Sequence, residues 1–310
     1  MYGPNEGSAH GSPPAAAPVL APAVSSSLRA IRSRVRRAIT KINVIEGFAR
    51  RPQEHKFDFI SEFPLFTPGS FGDEASLTRL TVLAIQQTID RLGELAEQVT
   101  EDKFAVTTLS DVALDAEEKA ASEKLRALFQ SYGSDKSTTH NYEILYGKLL
   151  ARGAKQTILE VGLGTNNLDV VSSMGPNGKP GASLRAFRDF TQAQVFGADV
   201  DRRILFQEEL INTFYVDQTD KNSFNELRRS VPDGLDLVID DGLHAPNANL
   251  TTFAFGLQKI PKGGAVVIED ISPPALPLWK VVKAILGDKY QSELLQSRGG
   301  SFVFVVKDVG

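Results

Sequence analysis

Two short, mostly apolar runs that each end in acidic residues constrain the fold of this chain more than any other feature. Residues 235–241 end in two aspartates, and residues 265–270 end in a glutamate and an aspartate. Because short runs rich in β-branched residues are typical of buried parallel strands, we expect two neighbouring strands that end at one sheet edge. His244 follows the first pair of acids closely. The pattern therefore predicts a site for a hard cation with a base beside it.

Strand-like and helical segments alternate from about residue 131 to the end of the chain. The last two strand-like segments are joined by an Arg-Gly-Gly turn at residues 298–300, which is typical of a hairpin. This alternation predicts an α/β fold with a doubly wound, mostly parallel, Rossmann-like sheet and a C-terminal β-hairpin. Ligands of such sheets bind outside the carboxyl ends of the strands, which is where the acidic residues lie.

The first 130 residues have a different character. Residues 1–28 consist largely of Ala, Pro, Ser and Gly, which predicts a disordered low-complexity tail. Residues 29–130 contain several segments with apolar residues at helical spacing and are expected to form a helical N-terminal region. Residues 131–310 are expected to form the α/β domain.

Residues 29–51 carry eight basic residues against one acid, with apolar residues at helical spacing. The segment is predicted to be a basic amphipathic helix. Three interpretations stay open: a packed helix with a solvated charged face, contact with an anionic membrane surface or a charged protein, and contact with nucleic acid.

Composition excludes several classes of function. The net charge of −4 argues against nucleic-acid binding by the whole molecule. The chain has no cysteine, so a metal has to be held by oxygen or imidazole ligands. No apolar run reaches the ~18 residues of a membrane span, and the N-terminus lacks the pattern of a signal peptide. We therefore expect a cytoplasmic protein.

A strand-like segment at residues 158–161 leads into a turn that contains Gly162 and Gly164, which permit a close approach of a ligand to the main chain. A dinucleotide fingerprint has a third glycine at the position of Asn167, so pyrophosphate binding is disfavoured.

Acidic residues at the ends of the other strands suggest an adenosine ligand. Asp199 is predicted to accept the ribose hydroxyls and Asp217 to lie on the adenine side, although either side chain can instead cap the next helix. Glu160 is predicted to lie near a positive group of the ligand or to orient the loop. Neighbours on a strand point to opposite faces, so Asp240 has a weaker claim than Asp241 to be a metal ligand. Asp240 is instead expected to contact the cofactor or to orient a ligand.

The order of these motifs resembles the class I S-adenosylmethionine-dependent methyltransferases. The resemblance rests on Glu160-Val-Gly-Leu-Gly164, on Gly197-Ala-Asp199 and on the acidic ends of the third and fourth strands. It covers roughly residues 131–310.

Further segments resemble the metal-dependent O-methyltransferases that methylate deoxysugars of macrolides such as mycinamicin. They are residues 132–142, 181–187, 241–244 and 269–270. The resemblance implies S-adenosylmethionine as cofactor, Mg²⁺ (or Mn²⁺) held by Asp241, Glu269 and Asp270, and His244 as the general base. It also implies a homo-oligomer.

Physical chemistry supports these roles. A sugar hydroxyl is a poor nucleophile, and a divalent cation stabilises the alkoxide that develops on it. Histidine, with an ordinary pKa of about 6.5, can accept the proton near neutral pH. The predicted function is transfer of a methyl group to a hydroxyl, on a sugar of a natural product or glycan. Alternatives are a cephalosporin-type hydroxylase, a catechol-like O-methyltransferase and a non-catalytic scaffold with the same fold.

Overall fold

A computed structural model describes residues 74–100, 104–153 and 155–310. The predicted tail at residues 1–28 and the predicted basic helix at residues 29–51 lie outside the described residues.

The described residues form seven α-helices and nine strands. The helices are α1 (Glu74–Val99), α2 (Ala116–Tyr132), α3 (Glu143–Leu150), α4 (Ala182–Thr191), α5 (Ser223–Ser230), α6 (Pro246–Lys259) and α7 (Leu276–Leu286). The strands are β1 (Val106–Thr108), β2 (Ile158–Val161), β3 (Val195–Asp199), β4 (Gln207–Glu208), β5 (Ile211–Tyr215), β6 (Leu237–Asp240), β7 (Ala265–Ile271), β8 (Tyr290–Gln296) and β9 (Phe302–Asp308).

All nine strands belong to one sheet with the order β1-β8-β9-β7-β6-β2-β3-β5-β4. Strands β5, β3, β2, β6 and β7 are parallel to one another, whereas β9 is antiparallel to both β7 and β8. The chain starts this parallel block at β2, moves out through β3 and β5, and then returns to the other side of β2 through β6 and β7. The predicted doubly wound, mostly parallel sheet and its C-terminal hairpin are confirmed.

Helices cover both faces of the sheet because successive strand residues point to opposite sides. On β2, Ile158 packs in one buried cluster and Leu159 in the other. The cluster that contains Ile158 takes its helical side chains from α2, α3 and α4. The cluster that contains Leu159 takes them from α5, α6 and α7, including the fully buried Trp279. The central strands β2, β3, β6 and β7 are therefore buried on both faces, and their acidic side chains lie near their carboxyl ends.

Residues 106–130, which the sequence assigns to the helical N-terminal region, pack directly on this sheet. Strand β1 extends the edge by pairing in parallel with β8. Helix α2 begins at a capping box formed by Asp115 and Glu118 and ends at Gly133, whose φ of 78° is left-handed. Phe129 of α2 contacts Phe187 of α4 edge to face, with ring centroids 5.3 Å apart.

Helix α1 contacts helix α7 at the outside of the sheet. Gly93 is needed at this contact, because an added Cβ would lie 2.7 Å from the Cβ of Pro277. Lys280 of α7 forms an ion pair with Glu97 of α1. None of the helices among the described residues combines the length and the apolar character that a membrane crossing requires.

Candidate active site

An irregularity near the end of β7 re-aims the acidic pair of this strand. The register between β7 and β9 shifts between Ile268 and Ile271, and Asp270 has a left-handed φ of 52°. In a regular strand, consecutive side chains point to opposite faces. The bulge lets Glu269 and Asp270 both meet donors from the segment at residues 136–146.

Three side chains from two strand ends come together at the carboxyl edge of the sheet. Asp241 follows β6, His244 precedes α6, and Asp270 lies on β7; one ligand atom from each lies within 4.8 Å of the others. His244, like Asp270, has a left-handed backbone, with φ at 57°. Such positions cost about 1–3 kcal/mol each and cluster at functional sites. The group offers carboxylate oxygens and an imidazole, which are suitable ligands for a divalent cation.

The ammonium group of Lys136 lies among three carboxylates. Its Nζ is 2.5 Å from Oε2 of Glu269, 2.7 Å from Oδ2 of Asp241 and 3.1 Å from Oε1 of Glu160. Burial alone would lower the pKa of Lys136, but the charges of the three acids outweigh it and hold the pKa well above its usual range. A permanent cation therefore neutralises part of the charge that the ends of β2, β6 and β7 bring together.

The carboxylate of Glu269 is buried and held at both oxygens. The hydroxyl of Tyr146 donates to Oε1, and Lys136 donates to Oε2. Glu269 is 1% exposed and does not line the cavity described below. Its predicted role as a metal ligand stays a prediction.

The carboxylate of Asp270 is held at one oxygen. Oδ1 accepts hydrogen bonds from the hydroxyls of Tyr142 at 2.6 Å and Ser301 at 2.8 Å, and Nδ1 of His140 lies 3.3 Å away. Burial tends to raise the pKa of Asp270, but these hydrogen bonds and the neighbouring imidazoles hold it below its usual value. Asp270 is therefore ionised where it faces the cavity.

A cavity of about 570 Å³ opens at the same edge of the sheet. Its lining includes the glycine turn after β2, acidic residues at the ends of β3 and β5, and the group of Asp241, His244 and Asp270. The volume lies within the range of roughly 300–1,000 Å³ that is typical of small-molecule sites. The turn and the acidic group thus share one binding space.

Gly162 brings the turn into contact with the loop after β6. Its φ is 102°, and an added Cβ would lie 2.0 Å from the carbonyl oxygen of Asp241. Only glycine fits such a position, so this residue fixes the distance between the turn and the acidic group. Gly164, with φ at 75°, lies two residues further along the cavity wall.

Asp199 and Asp217 line the cavity and also support the turns that follow their strands. Asp199 accepts hydrogen bonds from the backbone N–H groups of Leu163 and Asp201 at 2.7 and 2.8 Å, and burial raises its pKa. Asp217 accepts from the backbone N–H and the hydroxyl of Thr219. Neither side chain caps the helix that follows its strand, because the N-cap positions are Asp201 and Asn222. The predicted contacts of Asp199 with a ribose and of Asp217 with an adenine stay predictions.

Glu160 and Asp240 are completely buried and do not line the cavity. Glu160 accepts a hydrogen bond of 2.6 Å from Ser183 in addition to its contact with Lys136. Asp240 accepts from the side-chain amide groups of Gln218 and Asn249 at 2.8 and 3.1 Å. These contacts fit the orienting roles considered for both acids, whereas contact with a cofactor stays a prediction.

Comparison with known proteins adds an independent observation. No family model matches the chain. A stretch of 159 residues is 29% identical to the 8-demethyl-8-alpha-L-rhamnosyl tetracenomycin-C 2'-O-methyltransferase of Streptomyces olivaceus, and it covers 50% of this chain and 40% of that protein. Another match, 36% identical over 93 residues, is to the mycinamicin VI 2''-O-methyltransferase of Micromonospora griseorubida, and it covers 29% of this chain and 23% of that protein. In sequence, the chain resembles sugar O-methyltransferases. It spans less than half of the length of these relatives.

Among solved structures, the methyltransferase MycE from the mycinamycin biosynthetic pathway, in complex with Mg and SAH, aligns with a TM-score of 0.47. The identity is 25%, and the alignment covers 60% of this chain and 54% of that chain.

Two residues beside the acidic group are not among the site residues predicted from the sequence. Gln218 lines the cavity, and its amide links Asp240 to the backbone N–H of Leu243. Its signal in the sequence is its place directly after Asp217 at the end of a strand. Lys136 does not line the cavity, and the structure surrounds it with acids from three strand ends.

Asp201 is a further residue that sequence reasoning passed over. Its carboxylate accepts hydrogen bonds from Thr165 at 2.6 Å, from Asn167 at 2.7 Å and from Arg203 at 2.7 Å. These contacts tie the loop after β2 to the end of β3. Asp201 therefore shapes the cavity wall that Gly164 and its neighbours form.

Proposed function

We propose that this chain is an S-adenosylmethionine-dependent, divalent-metal-dependent O-methyltransferase whose acceptor is a sugar hydroxyl on a natural product or glycan. The observation that carries the proposal is the convergence of Asp241, His244 and Asp270 on a cavity that also contains the glycine turn and Asp199. Residues that suit a cation and residues that suit a nucleoside therefore line the same cavity. The likeness to sugar O-methyltransferases supports the choice of reaction and acceptor over a hydroxylase, a catechol-like enzyme or a scaffold.

The residues present fit a hard divalent cation. Asp241 and Asp270 line the cavity with carboxylate oxygens, and Glu269 directly precedes Asp270 in the bulged part of β7. Mg²⁺ and Mn²⁺ favour oxygen ligands, and the chain contains no cysteine to favour a softer metal. In the proposed function, Asp241, Glu269 and Asp270 hold the cation.

The residues on the other wall fit an adenosyl group. Asp199 lies at the end of β3, where a carboxylate can accept ribose hydroxyls, and Asp217 lies at the end of β5 towards the adenine. Gly162 and Gly164 present main chain to the ligand without a side chain in the way. Glu160 and Asp240 stabilise these walls of the cavity. Glu160 accepts a hydrogen bond from Ser183, and Asp240 accepts one from Gln218.

The groups to be bound supply the reactive chemistry: the sulfonium provides the methyl group, and the cation stabilises negative charge on the acceptor oxygen. His244 accepts the proton of the acceptor hydroxyl. Its imidazole lines the cavity, and its Nε2 lies 4.0 Å from Oδ1 of Asp241. The protein contributes chiefly by aligning the reactants, because methyl transfer requires the acceptor oxygen, the methyl carbon and the sulfur to lie roughly on one line.

Methyl transfer from S-adenosylmethionine to a panel of glycosides, with Mg²⁺ or with EDTA, tests this function. We expect transfer to at least one glycoside with Mg²⁺ and none with EDTA. Asp241→Asn is expected to abolish transfer, whereas Asp288→Asn, at an exposed position far along the chain, is expected to have no effect.

Two results would refute the proposal. One is the absence of S-adenosylmethionine binding in calorimetry both with and without Mg²⁺. The other is full activity of Asp241→Asn in EDTA.

A further inference from the structure

The segment at residues 136–146, which leads into and begins α3, supplies a hydrogen-bond donor to every carboxylate of the predicted metal set. Lys136 donates to two of the three acids, as described above. Tyr142 donates to Asp270. Tyr146 donates to Glu269. The acids come from β6 and β7, so this segment is a separate part of the fold that contacts them from outside.

The two tyrosines are four residues apart at the start of a helix, so their side chains lie on one face. Both are almost completely buried, Tyr142 at 1% and Tyr146 at 0% exposure. The hydroxyl of Tyr142 donates to Asp270, and the hydroxyl of Tyr146 donates to Glu269. Two neutral, rigid donors therefore point at two adjacent acids.

The hydrogen bonds at Asp270 leave one of its oxygens available. Tyr142 and Ser301 both donate to Oδ1. Within the described part of the chain, no hydrogen bond reaches Oδ2. A carboxylate that is fixed at one oxygen presents the other in a defined direction, which is what a ligand of a cation requires.

We propose that the hydroxyls of Tyr142 and Tyr146 are positioning groups, which fix two of the predicted metal carboxylates in the orientation that a divalent cation needs. The inference rests on the proposed function in its metal site alone. Neither tyrosine touches the substrate or the cofactor in this role. The contribution of each is to hold a carboxylate before the cation arrives, so the cation does not have to order it.

The chain offers a matched control for this inference. Tyr132 also donates its hydroxyl to a carboxylate, that of Asp189, at 2.5 Å. Neither residue lines the cavity. Replacing Tyr132 by phenylalanine removes the same atom and the same kind of hydrogen bond away from the acidic group.

Mn²⁺ binding to the full chain, measured by electron paramagnetic resonance of free Mn²⁺ without cofactor or acceptor, tests the inference. Tyr142→Phe and Tyr146→Phe are each expected to raise the dissociation constant for Mn²⁺ roughly 10- to 100-fold, as is typical for loss of a group that orients a metal ligand. Tyr132→Phe is expected to bind Mn²⁺ like the wild type. Thermal unfolding in EDTA checks that all three variants are folded.

Tyr142→Phe keeps the ring and its stacking on His140, at 4.9 Å between centroids, so the fold is expected to persist. Ser301→Ala removes the other hydrogen bond to Oδ1 of Asp270 and is also expected to weaken Mn²⁺ binding.

Wild-type affinity in folded Tyr142→Phe and Tyr146→Phe would overturn the inference, as would equal weakening in Tyr132→Phe. Failure of the wild type to bind Mn²⁺ would overturn both the inference and the metal site of the proposed function. Normal Mn²⁺ binding with the expected variant effects, but no methyl transfer to any acceptor, would refute the proposed function and support the inference.

Discussion

Nζ of Lys136 lies 2.5 Å from Oε2 of Glu269, and both side chains are almost completely buried. The two residues are 133 positions apart in the chain. Asp241 and Glu160 complete the surroundings of the ammonium. Because neighbouring carboxylates repel one another, and two of these three are buried, the ammonium stabilises the arrangement that brings the ends of β2, β6 and β7 together.

Lys136→Met is expected to destabilise the protein by about 3–5 kcal/mol, the usual cost of leaving a buried charge without its partner. Mg²⁺ is expected to recover more stability in this variant than in the wild type, because the acidic group then carries one more uncompensated charge. Urea unfolding in EDTA and in Mg²⁺ measures both effects. Lys262→Met, at an exposed position, serves as the control. A Lys136→Met protein that is as stable in EDTA as Lys262→Met would show that the ammonium is dispensable.

Gly162→Ala is expected to disrupt the contact between the glycine turn and the loop after β6. An added Cβ would meet the carbonyl oxygen of Asp241 at 2.0 Å, and the backbone is left-handed. Clash and strain together predict a loss of about 2–5 kcal/mol and weak binding of S-adenosylhomocysteine. Gly234→Ala has a left-handed φ of 82° but no atom within 4 Å of the added Cβ, so it isolates the strain, about 1–2 kcal/mol. Equal losses in the two variants would argue against the steric contact.

Local patterns in the sequence account for the strands and for the acids at their ends. Short β-branched runs alternate with helical segments, and this periodicity alone predicts a parallel sheet whose carboxyl ends carry Asp199, Asp217 and Asp241. The alternation of side chains along a strand also separates neighbours. Asp240 is buried beneath Gln218, while Asp241 lines the cavity.

Contacts between distant segments account for what the sequence did not reveal. The bulge that re-aims Asp270 arises from the pairing of β7 with β9, which no local pattern encodes. The pairing of Lys136 with Asp241 joins residues 105 positions apart. Strand β1 has only three residues and acquires its identity from its neighbour β8. Such features depend on tertiary context, so residue periodicity carries no signal for them.

His244→Asn is expected to lower the rate of methyl transfer roughly 100- to 10,000-fold, the usual contribution of a positioned general base. Asparagine is chosen because it tolerates the left-handed backbone that this position requires, with φ at 57°. The variant is therefore expected to fold and to bind S-adenosylhomocysteine like the wild type. Single-turnover methyl transfer to the acceptor found in the glycoside screen measures the effect. A rate within about 3-fold of the wild type would exclude His244 as the base.

Asp201→Asn is expected to loosen the loop after β2 and to change how the cavity responds to acid. The hydrogen bond from Arg203, followed by those from Thr165 and Asn167, lowers the pKa of Asp201 in the folded protein. A carboxyl group with a depressed pKa in the folded state stabilises it above its unfolded pKa of about 3.9, and this stability is lost as the pH falls towards the folded pKa. The wild type should therefore exceed Asp201→Asn in stability at pH 7, and this difference in stability should narrow below pH 4. Urea unfolding at pH 7, 4 and 3 measures this difference, with Asp288→Asn as the control. Asp201 binds the loop after β2, which forms one wall of the cavity. A difference in stability that stays constant between pH 7 and pH 3 would mean that the charge of this carboxylate does not hold the loop in place.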